Sequence, residues 1–116
     1  MSAPSEIRNE ILKQLRAART AMRSSAFALS LRTLSEEERR LAAICRTNNH
    51  QMIIELENEK LAAIAEALKE NEADIKISTD NMAMRLANLE RAKQLIDGVA
   101  GALKVISKVI PLLIPI

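Results

Sequence analysis

Glycine is nearly missing from this chain. Two glycines, Gly98 and Gly101, and one aromatic residue, Phe27, occur among 116 residues, with no Trp or Tyr. β-Sheet folds need turn residues about every 8–12 positions and favour aromatic side chains in their strands. Both scarcities therefore exclude a β-protein. The three prolines, Pro4, Pro111 and Pro115, lie near the two ends, so the interior holds no proline helix breaker. One cysteine, Cys45, excludes an internal disulfide framework.

The scarcities also narrow the chemistry. Two glycines cannot build a phosphate-cradling loop. Cys45 and the single histidine, His50, stand five residues apart, on diverging faces of a helix. A helical carboxylate metal site wants Glu-x-x-His, and Thr47 occupies the position three before His50. The sequence implies no metal, no cofactor, no small-molecule substrate and no catalytic residue, and it reads as non-enzymatic. The stretch MSAPSEIRNE has no basic segment followed by an apolar run. The expectation is cytoplasmic synthesis without a secretory signal, with membrane association and export through a signal-independent route left open as alternatives.

What the chain does contain is helix-forming residues. It is 48% hydrophobic and 28% charged, and Ala, Leu, Ile, Glu, Lys, Arg and Met dominate. The expected fold is all-α: long amphipathic helices in a hairpin or coiled-coil bundle, completed by oligomerisation. Residues 1–5 read as a flexible lead, 6–97 as the hairpin or coiled coil, and 98–116 as an apolar amphipathic helix and tail.

Charge is unevenly spread. Residues 1–50 carry nine Lys/Arg against five Glu, a net +4. Residues 51–97 carry six Lys/Arg against ten Asp/Glu, a net −4. The two stretches would complement one another side by side, within one chain or between copies.

Ile7, Ile11, Leu15, Ala18, Met22, Ala26 and Leu29 recur at steps of three and four, which predicts a first amphipathic helix with Ser5 as its N-cap. Its polar face holds Arg8, Lys13, Arg16, Arg19 and Arg23. Ser35 and Glu38 form the signature of a capping box, which predicts a new helix after a connection near Leu31–Leu34. Further along, Ile54, Leu61, Leu68, Ile75, Met82, Leu89 and Ile96 keep a spacing of seven, continued by Leu103 and Ile110. That phase predicts one long helix over about 51–97, with a break at Asn48–Asn49 favoured over one at Ser78–Asp80. The polar residues Asn71, Ser78 and Arg85, three positions after the seam, would fix register or face water.

The ending GVAGALKVISKVIPLLIPI sets Val99, Leu103, Ile106 and Ile110 on one stripe and Lys104 and Lys108 on a thin basic edge. Leu113 extends the apolar tip beyond Pro111. A lone membrane span needs about 20 apolar residues, and two lysines and a proline interrupt this run.

Three function classes follow. The leading one is a helical assembly or adaptor protein, acting through coiled-coil self-association with a homo-oligomeric or helical protein partner and through the apolar C-terminal face. The second is a membrane-active or pore-forming component that lays Gly98–Ile116 on a membrane surface. The third is a nucleic-acid-binding helix pair using Arg8, Arg16, Arg19 and Arg23. Glu6 and Glu10 lie among those arginines in sequence, net charge is only +2, and no aromatic platform accompanies them. The arginine face is therefore read as solvated or acid-paired rather than as a nucleic-acid surface.

Overall fold

A computed structural model of the protein describes residues 2–116. Among these residues the only regular secondary structure is helical, in six helices: α1 (Pro4–Met22), α2 (Ser25–Leu31), α3 (Glu36–Asn58), α4 (Leu61–Glu70), α5 (Glu72–Arg85) and α6 (Ala92–Ile106). The all-α expectation holds. They fold into a body of 43 × 25 × 19 Å.

Local chemistry accounts for most boundaries. α1 begins one residue before the expected cap, because Pro4 enters the first turn with a φ that suits it. The Glu6 carboxylate then accepts from the Ala3 N–H at 2.9 Å. α1 stops at Met22 because Ser24 redirects the chain. Its hydroxyl donates to the Ala21 carbonyl at 2.7 Å and accepts from the Phe27 N–H at 3.2 Å, starting α2. The capping box at Ser35 forms as its sequence signature predicts. Ser35 Oγ accepts from the Glu38 N–H at 3.1 Å, and the Glu38 carboxylate from the Ser35 N–H at 2.9 Å.

The long helix expected over 51–97 is not present as one piece. α3 runs straight through Asn48–Asn49, and α5 runs through Ser78–Asp80. The breaks fall instead at Glu59–Lys60, at Asn71 and over Leu86–Arg91. At the first, Glu59 and Lys60 turn extended, and the Glu59 carbonyl accepts from Arg8 at 3.2 Å. At the last, Asn88 Oδ1 accepts from the Glu90 N–H, the local turn that asparagine favours. The C-terminal helix starts at Ala92, before the boundary expected at Gly98.

α1 and α3 pack antiparallel, with Arg8 near the start of α1 reaching Glu59 at the end of α3, and α4 and α5 pack against α1 as well. α6 packs along α5 and also touches α3 and α2, so it fills the centre. Phe27, Leu15, Leu56, Leu68, Met82, Leu95, Leu103 and Ile106 form the deepest part of one continuous core. Where α5 and α6 meet, Gly98 permits close approach. A Cβ on it would lie 2.8 Å from Arg85 Cδ and 3.3 Å from Met82 Cα. The N-terminus of α6 is capped from another helix: Ser30 Oγ on α2 accepts from the Ala92 N–H at 3.1 Å and donates to the Glu90 carbonyl at 2.6 Å.

Candidate binding surfaces

The spacing-of-seven residues now have definite places. Leu68, Ile75, Met82 and Ile96 are buried in the chain's own core, and Ile54, Leu61 and Leu89 are half-buried beside it. The polar positions that follow them bond within the chain. Asn71 donates to the Ala67 carbonyl, Ser78 to that of Ile75 and Arg85 to that of Gln94.

The apolar C-terminal stripe is likewise covered from within. Val99, Leu103, Ile106 and Ile110 are buried, while Leu113 is 62% exposed at the tip. Lys104 and Lys108 stand on the exposed edge, and Lys108 pairs with Asp74 at 3.8 Å. No helix of the described residues is long and apolar enough to cross a membrane.

After α6 the chain turns and runs along α3 as a non-helical tail. Ile110 is buried and Leu112 packs against the core, and one side chain of α3 bonds the tail backbone. Asn48 donates from Nδ2 to the Ile114 carbonyl at 2.7 Å and accepts at Oδ1 from the Ile114 N–H at 2.9 Å. The amide thus meets both backbone groups of one residue, and Asn48 is 1% exposed. Its neighbour Asn49 donates to the Leu15 carbonyl of α1 at 3.1 Å, while its Oδ1 finds no partner among the described residues.

α1 has two solvent edges of opposite sign. On the edge toward α5, Glu6 and Glu10 line a groove of about 210 Å³ with Glu72, Lys76 and Asp80. Burial pushes the Glu72 carboxyl up, but hydrogen bonds from Ser2 and the charge of Lys69 outweigh it together and leave its pKa lowered. The edge toward α3 carries Arg8 and, two turns further on, Arg16, Arg19 and Arg23. Arg16 crosses to Glu57 on α3 at 3.1 Å, which shows which face of α3 borders this groove. Stepping back from Glu57 along α3 by seven, four, three and four residues gives His50, Arg46, Ala43 and Arg39, all exposed. The antiparallel packing sets the C-terminal half of α1 beside the N-terminal half of α3. Arg19, Arg23, Arg39 and Arg46 therefore share one groove, and none of the four makes an ion pair among the described residues.

Arg39 and Arg46 were not singled out by sequence reasoning, although their spacing of seven repeats that of Arg16 and Arg23. Ile77 and Met84 were missed for a different reason. They also stand seven apart, but off the main seam, and they project outward from α5 at 62% and 76% exposure.

Among the described residues no three His, Cys, Asp or Glu side chains are placed to hold a metal ion. Cys45 is fully buried, and burial, with a smaller push from Asp97, raises its pKa to about 11. No protein-family model matches the chain, and no curated protein or solved structure matches it either.

Proposed function

We propose that the chain is a non-enzymatic helical adaptor that works by contact and pairs with a second copy of itself. The observation that supports this reading is the outer face of α5. Ile77 and Met84 are both largely exposed there, about 10 Å apart along the helix axis. The opposite face of the same helix, through Ile75, Thr79 and Met82, is already buried. A two-fold antiparallel pairing of α5 sets Ile77 of each copy against Met84 of the other, with Asp80 and Asn81 near the axis. That is the self-complementary arrangement an isologous interface requires. The self-association read from the heptad pattern is thereby moved off the main seam, which the chain fills itself, onto this second apolar pair.

The test is sedimentation velocity over a wide concentration range, on the wild-type chain and on the Ile77→Ser/Met84→Ser variant. The wild type is expected to dimerise, and the variant to stay monomeric with an unchanged circular dichroism spectrum. A wild-type chain that stays monomeric at its highest soluble concentration refutes the proposal, as does a variant that dimerises equally well.

A further inference from the structure

We propose that the groove between α1 and α3 binds the phosphate backbone of a nucleic acid. The objection raised by the sequence was that Glu6 and Glu10 lie among the arginines of the first helix. In the folded chain they do not: both face the α5 side, where they line the acidic groove with Glu72 and Asp80. What remains on the α3 side is Arg8, Arg16, Arg19 and Arg23, joined by Arg39 and Arg46 from α3. Arg8 is bound to the Glu59 carbonyl and Arg16 to Glu57. Four guanidinium groups, those of Arg19, Arg23, Arg39 and Arg46, remain to engage a ligand.

Their arrangement suits a linear polyanion. Arg39 and Arg46 are about 10 Å apart along α3, and Arg19 and Arg23 about 6 Å apart along α1. The two rows are separated by the spacing of packed helices, about 8–10 Å. Each guanidinium offers planar paired N–H donors that fit a phosphate. Each strand of a duplex presents one phosphate for about every 3.4 Å of helix axis, so phosphates about two to three steps apart can meet both rows at once.

The surroundings favour nucleic acid over other anionic partners. The largely exposed apolar side chains, Leu29, Ile77, Met84, Leu113 and Ile116, all lie outside α1 and α3. A protein partner would want a buried apolar or aromatic anchor at the centre of the contact. A membrane surface would want apolar side chains beside the cations to enter the headgroup layer. Backbone binding to nucleic acid needs only the charges. This groove lies apart from Ile77 and Met84, so it stands or falls independently of the α5 pairing.

The test is fluorescence anisotropy with labelled duplex DNA and single-stranded RNA of mixed sequence, at several salt concentrations. Four phosphate contacts give a slope of log K against log[salt] of about −3.6 on duplex DNA. Affinity is then expected to fall about 100-fold between 50 and 200 mM salt. The Arg19→Gln/Arg23→Gln/Arg39→Gln/Arg46→Gln variant, checked for native circular dichroism, should lose both the affinity and the slope. Single Arg39→Gln and Arg46→Gln variants should each lower the slope by about 0.9, and they keep the test usable if the fourfold variant does not fold. The Arg91→Gln/Lys104→Gln variant, altered outside the groove, should bind like the wild type. Absence of binding at 50 mM salt overturns the proposal. So does binding that survives the groove substitutions, or capture of poly-glutamate with no capture of nucleic acid.

Discussion

Replacing Asn48 with alanine should free the C-terminal tail from α3, at a cost that can be worked out in advance. Asn48 makes two hydrogen bonds to Ile114, at 2.7 and 2.9 Å, from a side chain that is 1% exposed. A typical intramolecular hydrogen bond contributes about 0.5–1.5 kcal/mol net, so the pair accounts for about 1–3 kcal/mol. In a chain of this size that corresponds to a fall in Tm of about 4–12 °C. Part of the loss will be softened, because Ile114 can lift into water once released, whereas a deeply buried group could not. The way to isolate the interaction is a double-mutant cycle in urea, pairing Asn48→Ala with removal of residues 111–116. In the shortened chain the alanine substitution no longer breaks these bonds, so the two changes should be non-additive by about 1–3 kcal/mol. Additivity within about 0.3 kcal/mol would show that the bonds contribute nothing to holding the tail. Hydrogen exchange at Ile114 gives a second reading: its amide should lose protection in Asn48→Ala before any helix does.

Three further outcomes follow from the same fold. Gly101 sits mid-helix with open space around it, so Gly101→Ala should raise stability by about 0.5–1 kcal/mol. Gly98→Ala should gain less or lose stability, because its Cβ would press on Met82 Cα. Urea midpoints that rise equally for both would refute the close contact. Glu38, through the Ser35 backbone and hydroxyl bonds, and Glu72 have lowered pKa values in the fold. Their contribution is complete above the unfolded value near 4.5 and drains away as pH drops through the lower folded values. A Tm series from pH 6 to pH 3 should therefore slope less steeply in Glu38→Gln than in the wild type, and identical slopes would contradict the assignment. The Cys45 thiol, buried and raised to about 11, should react with a thiol reagent only as fast as the chain opens. Its stabilising effect is present at neutral pH and is lost as pH climbs from 9 toward 11. A fast stoichiometric reaction in native buffer would place the residue at the surface.

Periodicity was the readable part of this fold. Ile7, Ile11, Leu15, Ala18 and Met22 enter the core as their spacing implies, but Leu29 in the same series is 58% exposed, because the chain breaks after Met22 and α2 buries Phe27 instead; Ser35 with Glu38 builds the expected cap. The helix ends inside the chain were harder, because no glycine or proline marks them. The sequence pattern put weakness at Asn48–Asn49, where intrinsic propensity is poor. The helix persists there because each amide finds a distant partner, Ile114 for one and Leu15 for the other. Conversely, Glu59 and Lys60 are ordinary helix formers, yet the chain straightens at them so that Ile64 and Leu68 of α4 can reach the core. Unbroken phase across such a bend reflects two helices filling the same core from different directions. The arginine groove was half legible. Its α1 row shows in the sequence, but the separation from Glu6 and Glu10 and the second row on α3 exist only once the helices pack.

α2 is seven residues long, too short to hold its shape in water alone. Yet Ser30 within it satisfies the first amide of α6, and Phe27 beside it is fully buried in the core. When α2 frays, α6 loses its cap and its neighbour at the same moment. Residues 25–31 and 92–106 should therefore open together, as one cooperative unit assembled from two stretches far apart in the chain. A disturbance of this short helix would then be felt first at Ala92, about sixty residues downstream, before it reaches the adjoining end of α1.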